Sequence, residues 1–149
     1  MKTANSAQAT PVAIHDCHQL LAWIIPQLDH FPQARRFTLG EKLEWLLMDV
    51  LEFLLEAAYQ KGDAKLQMLA RANRKLAVAR HLWRLGFELK VCSFNAYQHG
   101  AELMVDLRKA LFSRIVVTGM PEHAGAARRV VEQQTVEPAL RQPQQEPAR

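Results

Sequence analysis

Apolar residues recur every three or four positions through four stretches of the chain, and each stretch is bounded by residues that stop a helix. Between residues 15 and 30, Leu20, Leu21, Ile24, Ile25 and Leu28 keep helical spacing, which predicts a first helix. Asp16 is its candidate N-cap, and Pro26 inside the pattern predicts a kink or a split last turn. A second helix reaches residue 60, with Leu39, Leu43, Leu46, Leu47, Val50 and Leu54 on one wide face. Gly62 is the candidate left-handed residue that ends it. A third helix is predicted over residues 64–90. After a break at Val91 and Cys92, Ser93 is the candidate N-cap of a fourth over residues 94–117.

The pattern stops there. Residues 118–149 carry Pro121, Pro138, Pro143 and Pro147, many glutamines and few large apolar side chains. That composition predicts a disordered tail with at most a nascent helix near 126–134. Residues 1–14 are small and polar and read as a flexible N-terminus. Residues 15–117 therefore form the one domain, and short connections between apolar-faced helices predict an all-α, up-down-up-down four-helix bundle.

The start of the second helix has two readings. In FPQARRFTLGEKLE, residues 31–44, Thr38 and Glu41 have capping-box spacing, so the helix could begin at Thr38. Alternatively Pro32 occupies the first turn, where proline is tolerated, and the helix runs straight through. The second reading is preferred, because Arg36, Phe37, Leu39 and Leu43 then continue one helix. Gly40 costs such a helix roughly 1 kcal/mol relative to alanine. Its expected return is close approach by a neighbouring helix, the first. Arg35 and Arg36 then sit at the end of the bundle, as solvated residues or as a patch for phosphate or an acidic partner.

Charge changes the picture more than composition does. The 149 residues carry a formal charge of +4, with a pI near 9.3. The excess is not evenly spread. Residues 71–90 hold Arg71, Arg74, Lys75, Arg80, Arg84 and Lys90 against Glu88 alone, whereas the second helix from Glu41 to Gln60 holds Glu41, Glu44, Asp49, Glu52 and Glu56 against Lys42. The basic set can be a solvated face paired with those acids, or a surface for nucleic acid or an acidic protein. The third helix also carries two apolar stripes. Leu69, Ala72, Leu76, Ala79, Trp83 and Phe87 form one, and Val78, Leu82, Leu85 and Leu89 form another roughly opposite. One buried stripe suffices for a monomeric bundle, so the second is expected to be an oligomer interface.

Other chemistry finds little support. Ser93, Ser113 and the histidines show no linked nucleophile and base, Glu41 and Glu44 lie on different helix faces, and His81 and His99 stand alone, so no enzyme activity is expected. Cys17 and Cys92 have neither disulfide-scaffold nor zinc spacing, and His15, Cys17 and His18 do not share a helical face, so no metal or cofactor is expected. No signal peptide or membrane-length apolar run is seen, which reads as a cytoplasmic protein without membrane contact.

Three segments, in order, resemble one family. Arg36 to Leu43 follows an R-F-x-L-G-[ED]-[KR]-[LI] pattern, Asn73 to Leu85 an N-x-K-L-x-x-x-R-x-L-x-R-L pattern, and Tyr97 to Leu103 a Y-x-x-x-A-E-L pattern. Over about residues 15–115 the chain is similar to the Avd family, the accessory variability determinants of diversity-generating retroelements. Related four-helix proteins are encoded in ribosomal RNA intervening sequences. The resemblance implies a four-helix bundle assembled into a basic, barrel-like homopentamer. It also implies binding to the retroelement's reverse transcriptase and to template RNA or cDNA, in support of mutagenic cDNA synthesis and retrohoming. Arg71, Arg74, Lys75, Arg80 and Arg84 lie in the matching basic segment and are the candidate contacts, with Arg71, Arg74 and Lys75 expected to be the more exposed. Family members often close the fourth helix with a segment containing glycine and tryptophan, where this chain has LFSRIVV. The alternatives are a ribosomal intervening-sequence protein or a helical scaffold without catalysis.

Overall fold

A computed structural model describes residues 11–119. Among them the chain is helical and contains no strand. Helix α1 is Pro11–Asp29. Helix α2 is one continuous run of three segments: Gln33–Arg35, a π-helical turn Arg36–Gly40, and Glu41–Tyr59. Helices α3, Gly62–Glu88, and α4, Phe94–Gly119, complete the bundle. Each helix packs on the next, and α1 packs on α4. Contacts across α1 and α2 join Cys17 to Leu47 and Asp29 to Arg36. Across α2 and α3, Asp49 meets Lys75 and Leu39 lies beside Gly86. In both sets the residue numbers rise on one helix as they fall on the other, so the neighbours are antiparallel.

Several boundaries differ from the sequence expectation. Helix α1 starts at Pro11, so Ala13 and Ile14 belong to the bundle and Asp16 lies inside the helix, where it caps nothing. Proline has no N–H to leave unpaired, and the first position of a helix is where that matters least. Pro26 does not split off a turn. It falls in the last turn, and both Pro26 and Ala22 are exposed, so water can reach the carbonyl deprived of its usual donor. The expected tail shortens to residues beyond Gly119, because α4 includes Thr118 and Gly119. Residues 1–10 and 120–149, with the rest of the expected flexible ends, lie outside the described residues.

The second helix does run through, but not as an ordinary one. Pro32, with φ −52° and ψ 143°, precedes it, and its carbonyl accepts from the amides of Arg35 and Arg36. Thr38 is not a cap: its hydroxyl donates to the carbonyl of Ala34 at 3.2 Å. At the end of the π turn the amide of Glu41 reaches back five residues to Arg36. That wide turn leaves Phe37 65% exposed while Leu39 and Gly40 are buried. Gly40 is not made necessary by close approach of α1. A β-carbon there would meet Phe31, Arg35 and Arg36 at 3.5 Å, ordinary contact.

Connections use standard devices. Gly62 has φ 59°, the left-handed conformation expected for it, although it opens α3 instead of closing α2. Helix α3 ends with Lys90 at φ 59°, its amide on Phe87 and that of Val91 on Gly86, the paired bonds of a Schellman motif. Ser93 caps α4 as expected: its side-chain oxygen accepts from the amide of Ala96 at 3.1 Å.

The core is a single apolar cluster with no buried polar or charged residue among the described ones. Trp83 is its largest buried side chain, and elements on every side converge on it. Its indole N–H donates to the Tyr97 carbonyl at 2.9 Å. Trp23 meets it edge-on with centroids 6.0 Å apart, and Phe31 stacks at 6.3 Å. Gly100 lies against the ring so closely that a β-carbon there would fall 2.7 Å from it. Cys17 is buried among leucines, and burial pushes its thiol pKa up to about 12. His15 and His18 are exposed, so the three do not face one site.

Three stability outcomes follow, all read by urea unfolding. Gly100→Ala costs about 1–3 kcal/mol, since the rigid Trp83 ring must shift. Gly86→Ala, whose β-carbon would meet only the flexible end of Leu39 at 3.4 Å, changes stability by less than about 1 kcal/mol. Lys90→Gly stabilises by roughly 0.5–1 kcal/mol, because glycine takes positive φ without the β-carbon clash.

Candidate nucleic-acid interface

The structure divides the predicted basic residues into three groups. The first is tied up in ion pairs. Arg36, with a side chain 23% exposed, donates to Asp29 at 3.2 Å and to Glu44 at 3.3 Å, clamping the start of α2 to the end of α1. In the chain by itself it serves the fold. Lys75 pairs with Asp49 on α2 at 3.3 Å, so it is less free than its position in the sequence implies. Arg84 pairs with Glu88 one turn along its own helix at 3.1 Å. That pair is exposed, so it contributes little energy and can be exchanged for another anion.

The second group, Arg71 and Arg74, is exposed on the outer side of α3. Arg35 is likewise exposed, at the corner where α2 begins. None of these three joins an ion pair among the described residues.

The third group lies where α3 packs on α4. Arg80 is half-buried, and burial lowers its pKa below the ordinary value. The neighbouring Arg108 guanidinium lowers it further, and Tyr97 opposes both. Toward the other end of the same seam, burial and Arg114 together lower Lys65. The Nε of Arg114 is itself buried without a hydrogen-bond partner among the described residues. None of Lys65, Arg80, Arg108 and Arg114 joins an ion pair among those residues. Cations held near one another without an ion-paired carboxylate are what an anion would complete.

The seam has a shape as well as a charge. Between α3 and α4 opens a cleft of about 250 Å³ lined by Arg80, His81, Trp83, Arg84, Tyr97 and Met104. Tyr97 is fixed there, its ring stacked on Phe87 at 4.6 Å and its carbonyl held by Trp83. From Lys65 to Arg84 the seam runs about 28 Å, at 1.5 Å per helical residue. Arginine forks along such a groove suit phosphate oxygens spaced along a strand. Arg108, Arg114 and Lys65 are absent from the sequence-predicted set. An antiparallel pairing of the third and fourth helices about the Ser93 turn would have brought them forward.

The expected apolar interface divides too. Val78, Leu85 and Leu89 are 40–48% exposed, whereas Leu82 is half-buried and packs against the core. Among the described residues no helix covers the first three. Exposed aromatic and apolar residues also run along α2, a surface the sequence reading passed over: Phe37, Trp45, Met48, Leu55 and Tyr59. Among the described residues, no group of three or more His, Cys, Asp or Glu residues could hold a metal ion, and no helix is long and apolar enough to cross a membrane.

The role of the clamp is read by mutation. Arg36→Ala lowers stability by about 0.5–1.5 kcal/mol in urea unfolding, through loss of one partly buried pair, to Glu44, and one exposed pair, to Asp29. No family model, no curated protein and no solved structure matches the chain.

Proposed function

We propose that this protein is a non-enzymatic accessory subunit of a diversity-generating retroelement. In this reading it binds the reverse transcriptase and its template RNA or cDNA, and it works as a homo-oligomer, a pentamer if the Avd resemblance extends to assembly. The observation that carries the reading is the α3–α4 seam, where Arg108 lowers the pKa of Arg80 and Arg114 that of Lys65, and none of the four joins an ion pair among the described residues. A bundle that needed its charges only for solubility would gain from interspersing acids there. The bundle's arrangement of helices and the three segments that resemble the Avd family support the same reading.

The mechanism is electrostatic and geometric. Phosphates of a single strand lie along the seam and release their counterions as Arg80, Arg84 and Arg108 neutralise them. Arg84 exchanges Glu88 for phosphate at little cost, because that pair is exposed. The rigid cleft at Tyr97 holds the strand against the bundle, and no bond is made or broken by this chain.

The test has two parts. The protein is co-purified with the reverse transcriptase encoded nearest to it, with and without nuclease. A nuclease-resistant complex holding several copies per polymerase is expected, and no association returns the chain to the ribosomal-insert or scaffold class. Separately, Arg80→Gln with Arg108→Gln is expected to weaken single-stranded RNA binding roughly tenfold or more. It should also flatten the slope of log affinity against log salt by about 1.4, two phosphate contacts' worth on a single strand. An unchanged slope places the contact elsewhere.

A further inference from the structure

Two helix faces of this chain repeat one spacing. On α2 the positions Glu41, Trp45, Met48, Glu52, Leu55 and Tyr59 are all exposed; the matching set on α3 is Arg71, Lys75, Val78, Leu82, Leu85 and Leu89, of which Lys75 and Leu82 are half-buried and the other four exposed. Both sets step by four, three, four, three and four residues, the rhythm of a helix seam that packs against another helix. Each spans about 27 Å of helix. Each mixes four apolar residues with two charges, and the charges are opposite: two glutamates on α2, an arginine and a lysine on α3. Further charges keep the sign, with Glu44 and Glu56 beside the first face and Arg74 beside the second.

The two faces cannot satisfy each other within one chain. Helices α2 and α3 already pack on each other through their buried sides, as at Leu39 against Gly86, and Lys75 at the edge of the α3 face reaches back to Asp49 of α2. Trp45 at 58%, Met48 at 44% and Tyr59 at 88% exposure are therefore left on one flank, with Val78 and Leu89 left on another. We propose that the acidic aromatic face of α2 docks on the basic leucine face of α3 of a second copy, giving a head-to-tail interface. Pairing like with like would bring glutamates toward glutamates on one helix and cations toward cations on the other. Head-to-tail pairing places opposite charges around an apolar centre. Because a pair joined in this way keeps one unused face of each kind, the contact propagates, and it ends in a ring where the rotation between copies closes. This inference rests on the homo-oligomer part of the proposed function and assigns the surfaces that build it.

The experiment uses full-length chain and one variant per face, Trp45→Glu and Leu85→Glu, both at exposed positions. Molar mass is read by light scattering at concentrations on the order of tens of micromolar, with helicity checked by circular dichroism. The wild type is expected to be an oligomer, and each variant alone a 17.0 kDa monomer. Mixed in equal amounts, the variants are expected to form a 1:1 dimer and nothing larger, since each retains the face the other has lost. Should either variant lose helicity, Tyr59→Glu or Val78→Glu takes its place on the same face. A monomeric wild type, a variant that keeps the wild-type mass, or a mixture that stays monomeric overturns the proposal. A monomeric wild type would leave the α2 face to a basic amphipathic helix of another protein. RNA binding by the α3–α4 seam is measured on the same samples, and its retention by a monomeric wild type would show the interface assignment failing while the nucleic-acid reading stands.

Discussion

Burying an indole sets a requirement that the rest of this bundle meets. Trp83 is 1% exposed and carries one N–H, which would cost about 1–3 kcal/mol if left without an acceptor. The acceptor is the Tyr97 carbonyl in the first turn of α4. That bond fixes the height of α4 against α3. Gly100 lies just beyond, where only a residue without a side chain leaves the ring its space. Trp23 and Phe31 close the remaining sides from α1 and from the turn after it. With this register set, Arg80 and Tyr97 line the same cleft between α3 and α4, within electrostatic reach of Arg108. The surface chemistry of the seam thus depends on a packing decision made in the core.

Legibility in the sequence followed the physics of each feature. The second, third and fourth helices were visible because their buried faces are long and regular. The start of α1 was not, since a proline and small residues carry no periodic signal even where proline is well placed. The π turn was also hidden. It adds no special residue, and it shows only as Phe37 turning outward while Leu39 and Gly40 turn in. The Schellman end at Lys90 was obscured because lysine stands where glycine would announce the turn.

For the surface, the one-dimensional view grouped charges that three dimensions separate. Arg36, Lys75 and Arg84 each found a carboxylate within 3.3 Å, and proximity in sequence to other cations said nothing of that. Lys65, Arg108 and Arg114 gain their meaning only from pairing across two helices, which no window along the chain contains. The aromatic face of α2 went unread for a different reason. Its apolar residues alternate with glutamates, so the segment looked like the solvated back of an amphipathic helix.

The like-charge seam has one further consequence. Mutual repulsion between Arg80 and Arg108, and between Lys65 and Arg114, is carried by the folded chain but largely relieved when the helices separate. An anion that settles along the groove removes that tension, so it acts on the folding equilibrium as well as on its own binding. Under the proposed function, a bound polyanion would raise the bundle's resistance to melting above that of the isolated chain, and the ligand would be, thermodynamically, a missing part of the architecture.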